Sequence, residues 1–137
     1  MRIRLLALLA VLSYTYPVFA GPDGRDVLRA CQQTIQHLDE RKDESEPDAL
    51  GSLESGWCIG WVTAAIEMNN LQEGMADKEH PLRANMFHFC APRAGLTSGQ
   101  AIRIVVKYLK DHPKDLDQNG IALTMLALMS AFPCKAT

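Results

Sequence analysis

Four cysteines, four histidines and a run of carboxylates are the residues of this chain with chemistry to offer. A cysteine activated by a neighbouring histidine would act as a thiolate nucleophile, which needs a free, electropositive sulfur. His37, His80, His88 and His112 are the available bases, but no nucleophile signature surrounds any cysteine. A zinc site needs close ligand spacing, such as two cysteines three apart. Only His88 and Cys90 lie that near, two residues apart on an irregular stretch. The acids crowd into Asp39 to Glu54, seven carboxylates against Arg41 and Lys42, with Pro47, Gly51 and two serines among them. That composition reads as a solvated loop and not as a tuned acid–base pair. Trp57 and Trp61 would suit ligand stacking, yet their helical spacing beside Cys58 places them in the core. The residues therefore predict no catalytic group, no metal ligand and no cofactor.

The cysteines read instead as two disulfides, because the chain begins like an exported one. Arg2 and Arg4 precede the apolar run Leu5 to Leu12, and Val18-Phe19-Ala20 has the shape of a cleavage site. The run is too short to span a bilayer. Residues 1–20 are thus expected to be a cleaved signal peptide, and residues 21–137 one soluble exported domain. An even cysteine count in an oxidising compartment forms cross-links. Without Arg2 and Arg4 the balance is 12 basic against 16 acidic residues, a net charge of −4. Nucleic acid is not an expected partner of such a surface, and no membrane contact is expected after cleavage.

The elements that must position these residues are helical. The fold class is all-α, a small domain of four to five helices. Val27, Leu28, Cys31, Ile35 and Leu38 mark a helix over about 24–38, capped by Asp23 or Asp26. A second helix is expected over about 53–72. Trp57, Trp61, Ala64, Ala65, Met68 and Leu71 form one side, extended by Cys58 and Val62. Gly56 and Gly60 flank Cys58, which suggests a close backbone approach there. Residues 75–96 read as a long connection anchored by Met86 to Cys90, with an extra turn near 82–87. Thr97-Ser98-Gly99-Gln100 is a capping box opening a third helix that Pro113 stops. The fourth, about 120–132, is apolar nearly all round. That marks it as central to the bundle or covered by another subunit.

Four cysteines allow three pairings. The short 115–119 turn makes the last two helices antiparallel, which brings Cys90 beside Cys134. The first two helices form the other hairpin and bring Cys31 to Cys58. The expected pairs are therefore Cys31–Cys58 and Cys90–Cys134.

Gly56-Trp57-Cys58-Ile59-Gly60-Trp61-Val62 resembles the Gly-Tyr-Cys-x-Gly-Tyr-Ile segment of the Tai/Rap family. Phe89-Cys90-x-Pro92, Gln100, Val105 to Leu109, His112-Pro113, Ala127-Leu128 and Phe132-Pro133-Cys134 follow in the family's order. Tryptophan stands at 57 and 61 where the family usually has tyrosine. The resemblance implies a disulfide-bonded helical domain, often a homodimer. It also implies a periplasmic immunity protein that occludes a peptidoglycan amidase of type VI secretion. The partner would then be a secreted cell-wall amidase, met by the loops at 39–54, 74–89 and 111–119. Glu44, Glu46, Asp48, Asp115 and Asp117 are the candidate contacts. The alternatives weighed are an acid-stress chaperone, which the acidic loop and the apolar last helix would allow, and a family member without a toxin partner.

Overall fold

Apolar residues at three- and four-residue steps become four helices in the computed structural model, whose described residues are 21–40, 49–75, 87–92 and 94–134. Helix α1 spans Gly24–Glu40, α2 Ala49–Met75, α3 Ser98–Asp111 and α4 Gly120–Ala131, with a 3-10 turn at Pro113–Asp115. Among the described residues there is no strand, only an isolated antiparallel bridge between Asp23 and Asn119. The all-α expectation holds.

The helix starts are fixed by the side chains that the sequence offers. Asp23 Oδ1 accepts from the amides of Arg25 at 2.9 Å and Asp26 at 3.1 Å, satisfying donors the first turn leaves unpaired. The Thr97–Gln100 capping box forms in both directions. Asn119 Oδ1 caps α4 through the amides of Ile121 and Ala122.

The α1 and α4 starts are also stitched together. Gly24 donates to the Gln118 carbonyl at 3.1 Å, and Gly120 donates to the Pro22 carbonyl at 2.9 Å. A β-carbon at Gly120 would lie 2.7 Å from both the Pro22 carbonyl oxygen and Val27 Cγ2. One at Gly24 would lie 2.5 Å from Leu123 Cδ1 and 3.0 Å from the Leu116 carbonyl oxygen. These two glycines permit the crossing.

The core draws Val27, Ala30 and Cys31 from α1, and Cys58, Val62, Ala65 and Ile66 from α2. Ile102, Val105 and Leu109 of α3 and Leu123, Ala127 and Leu128 of α4 complete it, with Phe89 inserted from the connection. Helix α1 packs on each of the other three. Cys31–Cys58, with Cα atoms 5.2 Å apart, clamps α1 to α2. Cys90–Cys134, at 5.0 Å, ties the segment before α3 to the one after α4. Both pairings are those expected.

Four expectations need correction. The 39–54 stretch is not all loop: α1 continues to Glu40 and α2 begins at Ala49. Ala49 and Leu50 favour helix, and a proline two residues ahead is compatible with a helix start. Helix α2 also runs through Gly74 to Met75. Gly56 and Gly60 meet no close backbone among the described residues, none of which lies within 4 Å of where their β-carbons would be. Finally, the expected core face of α2 holds only in part: Trp61 packs partly against the core, but Trp57, Met68 and Leu71 turn away from it. The buried residues are Cys58, Val62, Ala65, Ile66 and Asn69. The extra turn near 82–87 falls almost wholly outside the described residues.

Candidate interaction surface

All four sulfurs are consumed by disulfides, so no thiolate remains to act as a nucleophile. His88 Nε2 does sit 3.9 Å from Cys90 Sγ and 3.5 Å from Glu73 Oε1. His88, Cys90 and Cys134 place their ligand atoms within 4.8 Å of one another. The two sulfurs are bonded to each other, however, and a disulfide sulfur is not the thiolate that a metal takes up. His112 stacks on Tyr108, with ring centroids 4.0 Å apart, and its Nδ1 meets the Tyr108 carbonyl at 2.8 Å. It fastens the end of α3.

Beyond these contacts the described residues offer surface features. One feature is an open groove of about 380 Å³ between the first halves of α1 and α2. Pro22, Asp26, Arg29 and Ala30 line one wall; Leu53, Glu54 and Trp57 line the other. Arg29 Nε lies 4.0 Å from Glu54 Oε1 across it. The groove opens onto the outward face of α2. There Trp57 and Trp61 stack with centroids 5.1 Å apart. Trp61 turns half inward and donates Nε1–H to Thr124 Oγ1 at 3.0 Å, tying α2 to α4.

A second feature is the turn between α3 and α4. Asp117 is exposed on it, and the half-buried Asp115 accepts from Gln118 Nε2 at 3.0 Å. These two candidate contacts share one corner. Glu44, Glu46 and Asp48 lie outside the described residues, as does His80.

Three carboxylates are held below the usual range. The Asp26 amide beside Asp23 stabilises its ionised form, aided by Arg25. The Arg103 guanidinium does the same for Asp39, and this pair joins the end of α1 to α3. Lys107 lowers Asp111 by a hydrogen bond at 2.7 Å. All three are scaffold contacts.

The residues that sequence reasoning missed are polar ones inside. Asn69 is fully buried. Its Nδ2 donates to the Phe89 carbonyl at 3.1 Å, and its Oδ1 accepts from the Phe89 amide at 2.9 Å. An asparagine one turn beyond Ala65 on the buried face was the available signal.

Compared with known families, the Rap1a immunity proteins match residues 23–134, from the Asp23 cap to the last cysteine. The chain belongs to this family. No curated protein and no solved structure matches it. Membership makes the chain an immunity protein directed at a secreted effector, with that effector as its protein partner. The disulfides and helices are thus the frame of a Rap1a scaffold. Among the described residues no helix is long and apolar enough to cross a membrane.

Proposed function

We propose that this Rap1a protein is exported by residues 1–20 and acts in the periplasm. There it binds and occludes a peptidoglycan amidase delivered by type VI secretion, without any catalysis of its own. The observation that carries this reading is the family match across residues 23–134. The disulfide-clamped frame supports it physically. An occluding inhibitor gains from rigidity, because less conformational freedom is lost on binding. The contacts assigned to the effector are Asp115 and Asp117 on the α3–α4 turn, together with Glu44, Glu46 and Asp48. Carboxylates at a protruding corner suit the imidazolium side of a Cys–His amidase groove and would steer encounter. The protein is also read as a homodimer.

The test is a titration of the oxidised chain into purified peptidoglycan amidases of type VI secretion, with muropeptide release as the readout. Stoichiometric inhibition, weakened by the double substitution Asp115→Asn and Asp117→Asn, is the expected result. Unimpaired hydrolysis with no complex on gel filtration would refute the reading.

A further inference from the structure

The two disulfides differ in what surrounds them. Cys31 and Cys58 are fully buried, whereas Cys90 and Cys134 are exposed. Thiol–disulfide exchange begins with a thiolate reaching one sulfur, so access decides which bond opens first. Beside the exposed pair stand two further metal-ligating groups. His88 Nε2 is 3.9 Å from Cys90 Sγ and 3.5 Å from Glu73 Oε1. His88 Nδ1 is buried and has no partner among the described residues, so Nε2 is the nitrogen the ring offers. Cys134 completes the cluster, its sulfur within 4.8 Å of the His88 and Cys90 ligand atoms. Among the described residues no comparable group forms around Cys31 and Cys58.

We propose that Cys90 and Cys134, once reduced by an external dithiol, join His88 and Glu73 as a four-ligand site for zinc. A thiolate of the dithiol attacks one sulfur of the Cys90–Cys134 bond, and its second thiolate then resolves the mixed disulfide. The dithiol departs as a disulfide. Its two electrons and two protons stay behind on the two cysteines. A zinc ion then displaces those two protons as the thiols become thiolate ligands.

Distances favour this donor set. Tetrahedral zinc holds thiolate sulfur at about 2.3 Å, imidazole nitrogen at about 2.0–2.1 Å and carboxylate oxygen at about 2.0–2.2 Å. A sulfur and a nitrogen on one ion therefore stand about 3.6 Å apart, and a nitrogen and an oxygen about 3.4 Å. The observed separations of 3.9 and 3.5 Å already lie close to these. The two sulfurs must part to about 3.8 Å. Both cysteines are exposed, so with the bond cut each side chain has room to turn. The backbone keeps them neighbours meanwhile. Asn69 holds Phe89 through both amide atoms. The Cys90 amide donates to the Phe132 carbonyl at 2.9 Å, and the two cysteine Cα atoms are 5.0 Å apart. Glu73 lies one turn beyond Asn69, so the helix that pins the connection also delivers the carboxylate. Two thiolates and an imidazole suit zinc and not the hard cations, which take oxygen ligands.

The experiment treats the oxidised chain with dithiothreitol without denaturant, removes the reagent anaerobically, and titrates zinc against a chromophoric chelator. Alkylation should map two thiols, at Cys90 and Cys134. The reduced chain should take up one zinc ion, and the oxidised chain none. Loss of an outer partner of a metal ligand weakens affinity about 10–100-fold. Loss of a ligand itself, in His88→Ala, should therefore weaken zinc by at least about 10-fold, with circular dichroism verifying the helices. Glu73→Gln should act in the same direction. Cobalt(II) added to the reduced, unsubstituted chain reads the site without any substitution, and the intense visible bands of a tetrahedral ion with sulfur-to-metal charge transfer are expected. Reduction that opens Cys31–Cys58 first overturns the proposal. So does zinc bound no better after reduction than before, or a cobalt spectrum without sulfur charge transfer. Binding indifferent to both His88→Ala and Glu73→Gln overturns the ligand set. No effector enters these measurements, so the zinc site and the proposed function fail separately.

Discussion

Asn69 is the residue on which the connection before α3 depends. Its amide closes two hydrogen bonds to the backbone of Phe89. Phe89 is itself fully buried, so both backbone groups are out of reach of water. The next residue, Cys90, donates its amide to the Phe132 carbonyl at 2.9 Å and carries the second disulfide. Replacing Asn69 by alanine would strand a donor and an acceptor. Each costs about 1–3 kcal/mol when buried and unpaired, so denaturant unfolding of Asn69→Ala should show a loss of about 2–6 kcal/mol. An unchanged midpoint would mean that these groups find water. The cysteines were fully legible in the sequence, pairing included, because hairpin geometry leaves little choice. Asn69 was not, because a polar residue in a helix reads as outward unless its distant partner is known. That partner is 20 residues on, across a connection with no periodicity to read.

At the scale of elements, helix existence and capping followed from local rules, and their choice of face did not. The Thr97–Gln100 box and the Asp23 cap are satisfied within four residues of themselves, so their spacing alone announces them. Helix α2 offers two apolar faces, and periodicity ranks neither. The tryptophan face is larger, yet the bundle buries the face that holds Cys58, since the bond to Cys31 fixes which side meets α1. The same limit applies to glycine. Gly56 and Gly60 stood out by their place beside a cysteine, whereas the glycines crowded by the fold are Gly24 and Gly120, each the first residue of its helix. A methyl at 120 would press on the Pro22 carbonyl and on Val27. Overpacking of this kind costs about 1–3 kcal/mol, and Gly120→Ala should lower the thermal midpoint accordingly. Gly56→Ala, with open space around it and a better helix propensity, should leave the monomer's stability unchanged or raise it.

For the whole molecule, acid is the informative stress. Asp23, Asp39 and Asp111 are all held below the usual carboxylate range in the folded state. The native fold therefore binds their protons more weakly than the unfolded chain does, and stability falls with pH. The contribution is complete above the unfolded value and disappears as pH drops through the lowered native ones. Thermal melts should thus be insensitive to these groups near neutrality and should decline below about pH 4. Asp39→Asn should make that decline shallower. All three groups are exposed, so added salt should reduce it as well. A midpoint that rises on acidification would contradict the assignment.

The two cross-links also bear on how the chain is made. Cys31 joins Cys58 and Cys90 joins Cys134, so the first cysteine bonds to the second and the third to the fourth. A chain emerging from its amino end presents them in that same order. Oxidation in order of appearance then yields the native connectivity directly, with no wrong bond to be reshuffled before the bundle closes.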